Sequence, residues 1–149
     1  MLWVLKKFDE LTVDELYSIL ELRSEVFIIE QNCVYQDVDG KDQAAWHVMG
    51  TEDSRLIAYT RILPPGAAYD DPSIGRVVTL PLKRRSGLGR QLMNISINEC
   101  EKIFGKTPIT LGAQSYLVHF YESLGFSSIG DEYLEDGIPH IKMTREASS

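Results

Sequence analysis

The chain has 149 residues, 44% of them hydrophobic and 25% charged, a balance that fits one soluble domain over residues 1–149. Fifteen Lys and Arg against 22 Asp and Glu leave a net charge of −7, which speaks against a nucleic-acid binder, because that role needs a basic face. No apolar run approaches the ~20 residues of a membrane helix, and the opening residues 1–7 place their lysines after a short apolar stretch, the reverse of a secretion signal; a cytoplasmic protein with no membrane partner is expected.

Residues 2–8 read as a first strand. Thr12 and Glu15 have the spacing of a capping box, and it opens a helical pattern at Val13, Leu16, Tyr17, Leu20, Val26 and Phe27. Residues 30–42 read as a polar loop. Residues 45–50 and 55–63 read as strands joined by a tight turn. Pro64-Pro65-Gly66 begins a loop that reaches Pro72. Residues 74–80 read as a buried strand, stopped by Pro81, which cannot donate to a ladder. A helix over 87–104 runs through Leu88, Leu92, Ile95 and Ile103, with Gly105 as its cap. A strand over 108–113, a helix over 115–124, a strand over 126–129, a turn at 135–137 and a strand over 138–144 follow. The order β-α-β-β-β-α-β-α-β-β predicts a mixed α/β fold around one central sheet. Cys33 and Cys100 form no C-x-x-C pair, so neither a disulfide framework nor a zinc site is expected.

The basic residues are unevenly placed. Lys83, Arg84, Arg85 and Arg90 stand within eight positions that hold no acid, together with Ser86, Gly87, Leu88 and Gly89. A strand ends, a basic glycine-bearing turn follows and a helix begins. A helix start offers unpaired N–H groups and a partial positive charge, and glycine lets a ligand approach the backbone. Phosphate is the anion such a terminus commonly holds. Neither the Walker loop nor the dinucleotide fingerprint fits, since Arg90-Gln91 follows Gly89 and Leu92 stands where a third glycine belongs. A basic helix start with glycines used only for packing is the plainer alternative.

Arg84-x-x-Gly87-x-Gly89, after a strand ending in Thr79-x-Pro81, resembles the acetyl-CoA signature of the GNAT N-acetyltransferase superfamily. Downstream, Gln114-x-x-Leu117-x-x-Phe120-Tyr121-x-x-x-Gly125-Phe126 resembles the second signature, with Gln114 and Leu117 in place of the usual asparagine and alanine. Segments 30–40, 59–63, 111–114 and 135–141 are similar to the ElaA-like branch, so the resemblance spans about residues 20–145. It implies an α/β (α+β) fold with a mixed central sheet of about seven strands flanked by helices and splayed between the fourth and fifth. It implies an acetyltransferase that binds acetyl-CoA, with the turn from Arg85 to Arg90 on the pyrophosphate. Val77, Val78 and Thr79 pair with the pantetheine arm, with Gln114 and Phe120 beside it. Tyr121 protonates the departing sulfur; a thiol near ~8.5 and a phenol near ~10 make that transfer reasonable. No metal is required.

The acceptor is expected to be a small-molecule or peptide amine, bound by a monomer or homodimer. An alkyl ammonium near ~10.4 leaves roughly one molecule in ~2,000 neutral at pH ~7, so a base is needed. The strand before the turn, Ile74-Gly75-Arg76-Val77, offers no carboxylate. His47 and His140 are the candidate bases, and Glu30, Asp37, Asp39 and Arg76 are placed on the substrate side. A non-catalytic acyl-CoA-binding module on the same fold is the second reading.

Overall fold

The structure, a computed structural model, describes residues 1–147. Its elements are β1 (Leu2–Lys7), α1 (Val13–Arg23), β2 (Trp46–Glu52), β3 (Arg55–Leu63), β4 (Ser73–Thr79), α2 (Leu88–Phe104), β5 (Ile109–Gln114), α3 (Val118–Glu122), β6 (Phe126–Glu135) and β7 (Ile138–Arg145). The expected order is the observed one, but the single sheet is not. The strands form two hydrogen-bonded sheets, β1-β2-β3-β4 and β5-β7-β6, antiparallel at every pairing. The division falls between the fourth and fifth strands, where the splay is expected.

The two sheets are tied at one end. The Thr110 N–H donates to the Pro72 carbonyl at 3.1 Å, just before β4 begins. The Thr110 hydroxyl donates to Asp71 at 2.8 Å and lies 3.0 Å from that of Thr144. Beyond this tie no ladder joins β4 to β5, so the β4 edge keeps backbone groups to offer. A bulge bends β4: its register with β3 jumps from Tyr59↔Val78 to Arg61↔Gly75, and Arg76 adopts φ 51.

Ile19, Leu22, Val26 and Phe27 from the first helical region, with Leu92, Met93, Ile97 and Cys100 of α2, bury against Val48, Ile57, Tyr59 and Ile62 in one core cluster. The Thr12 box closes α1: the Glu15 N–H donates to Thr12 Oγ1 at 3.0 Å, and the Thr12 N–H donates to Glu15 Oε1 at 2.8 Å. The inward face differs from the expected one, since Val13 and Tyr17 are 84% and 71% exposed while Ile19, Leu22 and Arg23 are buried. Arg23 turns inward because aspartates await it there.

Three boundaries also differ. α1 runs on as a π-helical segment (Ser24–Glu30), with i→i+5 bonds from the Gln31 N–H to Val26 and from the Cys33 N–H to Ile28. The last helix is a 3-10 turn (Ser115–Leu117) followed by the five residues of α3. β6 continues to Glu135, because a bulge after Ile129 resets its pairing at Tyr133↔His140 and interrupts the alternation that marks a strand. Among the described residues no helix is long and apolar enough to cross a membrane.

Candidate active site

The turn before α2 is shaped by two left-handed residues, Arg85 at φ 64 and Gly87 at φ 82. The bond from the Gln91 N–H to the Gly87 carbonyl, 3.1 Å, is the first of α2. The N–H groups of Leu88, Gly89 and Arg90 therefore have no partner in the helix. Left-handed residues in such a turn can gather successive N–H groups into an anion-binding concavity. The Ser86 hydroxyl donates to the Lys83 carbonyl at 2.5 Å and braces the turn.

The basic side chains are less free than their spacing suggests. Arg84 donates two hydrogen bonds to Glu30, at 2.9 and 2.5 Å. Lys83 pairs with Glu52. Arg90 donates to Ser123 Oγ at 2.8 Å and lies over the Phe120 ring. The carboxylates come from distant segments, which a window of sequence does not show. Glu30, expected on the substrate side, is engaged with Arg84 beside the turn that precedes α2.

Val77, Val78 and Thr79 lie on β4 just past the bulge, on the strand that borders the splay. Gln114 ends β5, its amide 3.4–3.5 Å from that of Gln31. The Ser115 hydroxyl beside it is buried with no hydrogen-bond partner among the described residues. Tyr121 is 5% exposed, held edge-on between the rings of Phe120 and Phe126. Its hydroxyl bonds to no group among the described residues. Burial pushes the phenol well above its usual range, so it keeps its proton at neutral pH.

In the loop after the π-helical segment, expected on the substrate side, the aspartates turn back onto arginines of the fold. Arg23, fully buried, donates to Asp37 Oδ2 and Asp42 Oδ1, each at 2.8 Å. Arg61 reaches Asp39 at 2.8 and 2.9 Å and Asp42 at 3.1 Å. Arg76 pairs with Asp37 at 2.8 Å and donates to its carbonyl at 3.0 Å. Asp37, Asp39 and Arg76 thus pair with one another and with two further arginines, while the Nε of Arg61 and of Arg76 are buried with no hydrogen-bond partner among the described residues. Burial opposes the charge on Asp39 and Asp42, yet the arginine bonds outweigh it and hold both well below the usual carboxylate range.

His47 belongs to the same interior network. It is fully buried; Nε2 donates to the Asp42 carbonyl at 3.0 Å and Nδ1 accepts from the Tyr59 hydroxyl at 2.6 Å. Burial depresses its basicity. With both nitrogens engaged, His47 is not a base for an acceptor. His140 differs: Nδ1 donates to the Ile138 carbonyl at 2.7 Å, and Nε2 lies 3.4 Å from Glu135. Tyr133 stacks on its ring. The contacts of Gln31, Arg23 and Arg61 were not legible, because their partners lie 14 to 83 positions away, whereas Tyr133 and Glu135 meet His140 across a short turn that only the observed β6–β7 register reveals. A bare arginine within a strand, such as Arg61, was the one available signal. A cavity of about 170 Å³, lined by residues including Glu21, Glu25 and Arg55, involves neither the turn before α2 nor α3.

A model of the acetyltransferase (GNAT) domain matches residues 9–147. The chain is 43% identical over 139 residues to Protein ElaA of Escherichia coli strain K12, covering 92% of this chain and 91% of that one. It is 37% identical over 142 residues to a UPF0039 protein of Synechocystis sp., covering 95% and 92%. The crystal structure of an acyl-CoA N-acyltransferase from Pseudomonas aeruginosa is similar at a TM-score of 0.92 and 43% identity, covering 97% and 99%. An aminoglycoside 6'-N-acetyltransferase complexed with coenzyme A shares the fold at a TM-score of 0.70 and 17% identity, covering 95% and 96%. Domain model, relatives and fold agree over nearly the whole chain, and the protein is a member of the GNAT acetyltransferase family, with ElaA as a homologue.

Proposed function

We propose that the protein transfers the acetyl group of acetyl-CoA to a primary amine by direct attack, with donor and acceptor bound together. The observation that carries this is the left-handed turn at Arg85 and Gly87, which opens α2 beside a β4 edge that has no ladder to β5. Acetyl-CoA, when bound, supplies an activated thioester and a thiol leaving group. The N–H groups from Arg85 to Arg90, Ser86, Leu88 and Gly89 included, hold the diphosphate, and Arg84, Arg85 and Arg90 add charge. The Val77–Thr79 edge orders the arm as an added strand would, with Gln114 and Phe120 on its other side.

An N–H of Val78 or Thr79 receives the carbonyl oxygen as it gains charge. Tyr121 gives its proton to the sulfur. Burial disfavours phenolate and thiolate alike, so the phenol's raised pKa does not by itself set it against a similarly buried thiolate. Holding amine and thioester together supplies much of the rate.

Calorimetry with acetyl-CoA and CoA, followed by thiol release over a panel of primary amines, tests the proposal. Micromolar binding and release with at least one amine are expected. Failure to bind either nucleotide removes the reading, while binding without release on every amine leaves a binding module.

A further inference from the structure

We infer that the acceptor ammonium is received on the face of the β5-β7-β6 sheet that bears His140, with His140 as proton acceptor and Glu135 as its charge partner. This rests on the acetyl transfer proposed above and assigns that reaction's missing base.

Side chains alternate across a strand. Leu111, Ala113 and Met143 turn into the core. Gly112, Gln114, His140 and Lys142 therefore turn the other way, and the register sets Gln114, His140 and Tyr133 in one row. The segment after α1 crosses this face. Glu30 holds Arg84 of the phosphate turn, Gln31 meets Gln114 at the end of β5, and the Cys33 thiol donates to the Asp136 carbonyl at 3.2 Å. One short stretch thus links the cofactor turn to the β6–β7 turn, and it places the His140 row beside the parted strands.

The groups on this face suit an ammonium ion. The Ile138 carbonyl fixes the proton of His140 on Nδ1, which leaves the lone pair on Nε2. Glu135 stands 3.4 Å from that nitrogen, ready to stabilise an imidazolium. Tyr133 and Tyr69 supply the wall. A β-carbon at position 112 would lie 2.6 Å from the Tyr133 hydroxyl and 3.1 Å from that of Tyr69. Only glycine there lets the two tyrosines lie against the sheet. The ring of Tyr69 already holds a cation, Lys142, at 5.4 Å. Burial, with Tyr69 and Glu135 alongside, pushes Tyr133 up to about 12, and burial raises Tyr69 as well. Both phenols are neutral in the physiological range. Lys142 on β7, Asp136 at the β6–β7 turn, and Cys33 and Tyr35 from the crossing segment, the thiol on the Asp136 carbonyl and the phenol within reach of the Asp136 charge, are the other titratable groups at this face. Carboxylate, imidazole and aromatic wall together fit a primary alkylamine on an apolar or aromatic body.

The protons balance. One leaves the ammonium for His140 Nε2 and passes to solvent. The amine lone pair forms the C–N bond, the C–S bond breaks, and its electron pair stays on sulfur. Sulfur takes the Tyr121 proton, and the second N–H proton restores Tyr121.

Phenethylamine is the probe, assayed by thiol release at saturating acetyl-CoA from about pH 6 to about pH 10. Wild-type protein acetylates it. His140→Gln lowers kcat/KM about tenfold or more near pH ~7, and the deficit closes toward pH ~10, where solvent supplies neutral amine. Glu135→Gln raises the amine KM about tenfold and leaves acetyl-CoA affinity within about twofold. Glu135 is 58% exposed, so this variant decides if His140→Gln does not fold. Nitrogen NMR shows Nδ1 of His140 carrying the proton of the neutral ring, independently of turnover. A deficit that is constant with pH, an unchanged amine KM in Glu135→Gln or an Nε2–H tautomer overturns the inference. Acetyl-CoA binding without acetylation of phenethylamine also overturns it, while leaving acetyl transfer to other amines standing. Absence of acetyl-CoA binding removes the parent proposal with it.

Discussion

Tyr121 is packed between Phe120 and Phe126 and bonds to nothing through its hydroxyl among the described residues. Tyr121→Phe keeps that packing and loses only a proton donor. Turnover is expected to fall about 100-fold while acetyl-CoA affinity stays within about twofold, measured by thiol release and calorimetry. Equal losses in both would place the hydroxyl in binding and not in proton transfer. Glu30 offers a second contrast. Both of its carboxylate oxygens hold Arg84, and each partner is more than a third exposed, so the pair contributes little to stability. Under the proposed function it would compete with a diphosphate for the same guanidinium. Glu30→Gln is expected to tighten CoA about threefold, more at low salt; weaker binding would mean that Glu30 orients Arg84 instead of occupying it.

At the scale of elements, the loop at 37–42 is a brace. Its aspartates draw Arg23 from α1, Arg61 from β3 and Arg76 from the β4 bulge into one network. Arg23 is fully buried and Arg61 is 3% exposed, so loss of one carboxylate strands a buried charge. Asp42→Ala is expected to destabilise by about 3–5 kcal/mol in urea unfolding; a change near zero would show that water already compensates these charges.

The same network sets an acid limit. Asp39 and Asp42 are held below the usual carboxylate range, and His47 below its usual value. The unfolded chain therefore binds each of these protons more readily than the fold does. Stability is lost as the pH falls, first below ~6.5 for His47 and again below ~3.9 for the aspartates. Urea midpoints measured from about pH 7 down to about pH 3 should decline throughout. A flat profile above pH ~5 would show that His47 is protonated in the fold at little cost.

Across the whole molecule, two sheets share one tie at Thr110 and part beyond it. In the proposed complex, a ligand lying along β4 and gripped by the α2 turn would bridge the part that the backbone leaves open. At about 100 times its dissociation constant, acetyl-CoA should add about 2.7 kcal/mol, a rise of roughly 5–10 °C in Tm for a chain this size. A rise with acetyl-CoA that CoA fails to match would show that the acetyl group itself is gripped.

Much of this plan was legible in the residues. Strand and helix order follows from periodicity, α1 starts where Thr12 and Glu15 satisfy the first N–H groups, and the anion turn is readable because glycine and neighbouring residues act within a few positions. Backbone conformation and capping are local, so sequence carries them directly. Which charges pair was decided only by the fold. Glu30 meets Arg84 54 positions away, Asp42 meets Arg23 and Arg61, and Cys33 meets the carbonyl of Asp136. The two candidate bases, His47 and His140, look equivalent in the chain; one is sealed between Asp42 and Tyr59, and the other keeps a nitrogen toward Glu135. Local sequence fixes what each residue can donate or accept. Only the assembled sheets determine which group stands within bonding distance and whether water reaches it, because both depend on chain segments brought together from far apart.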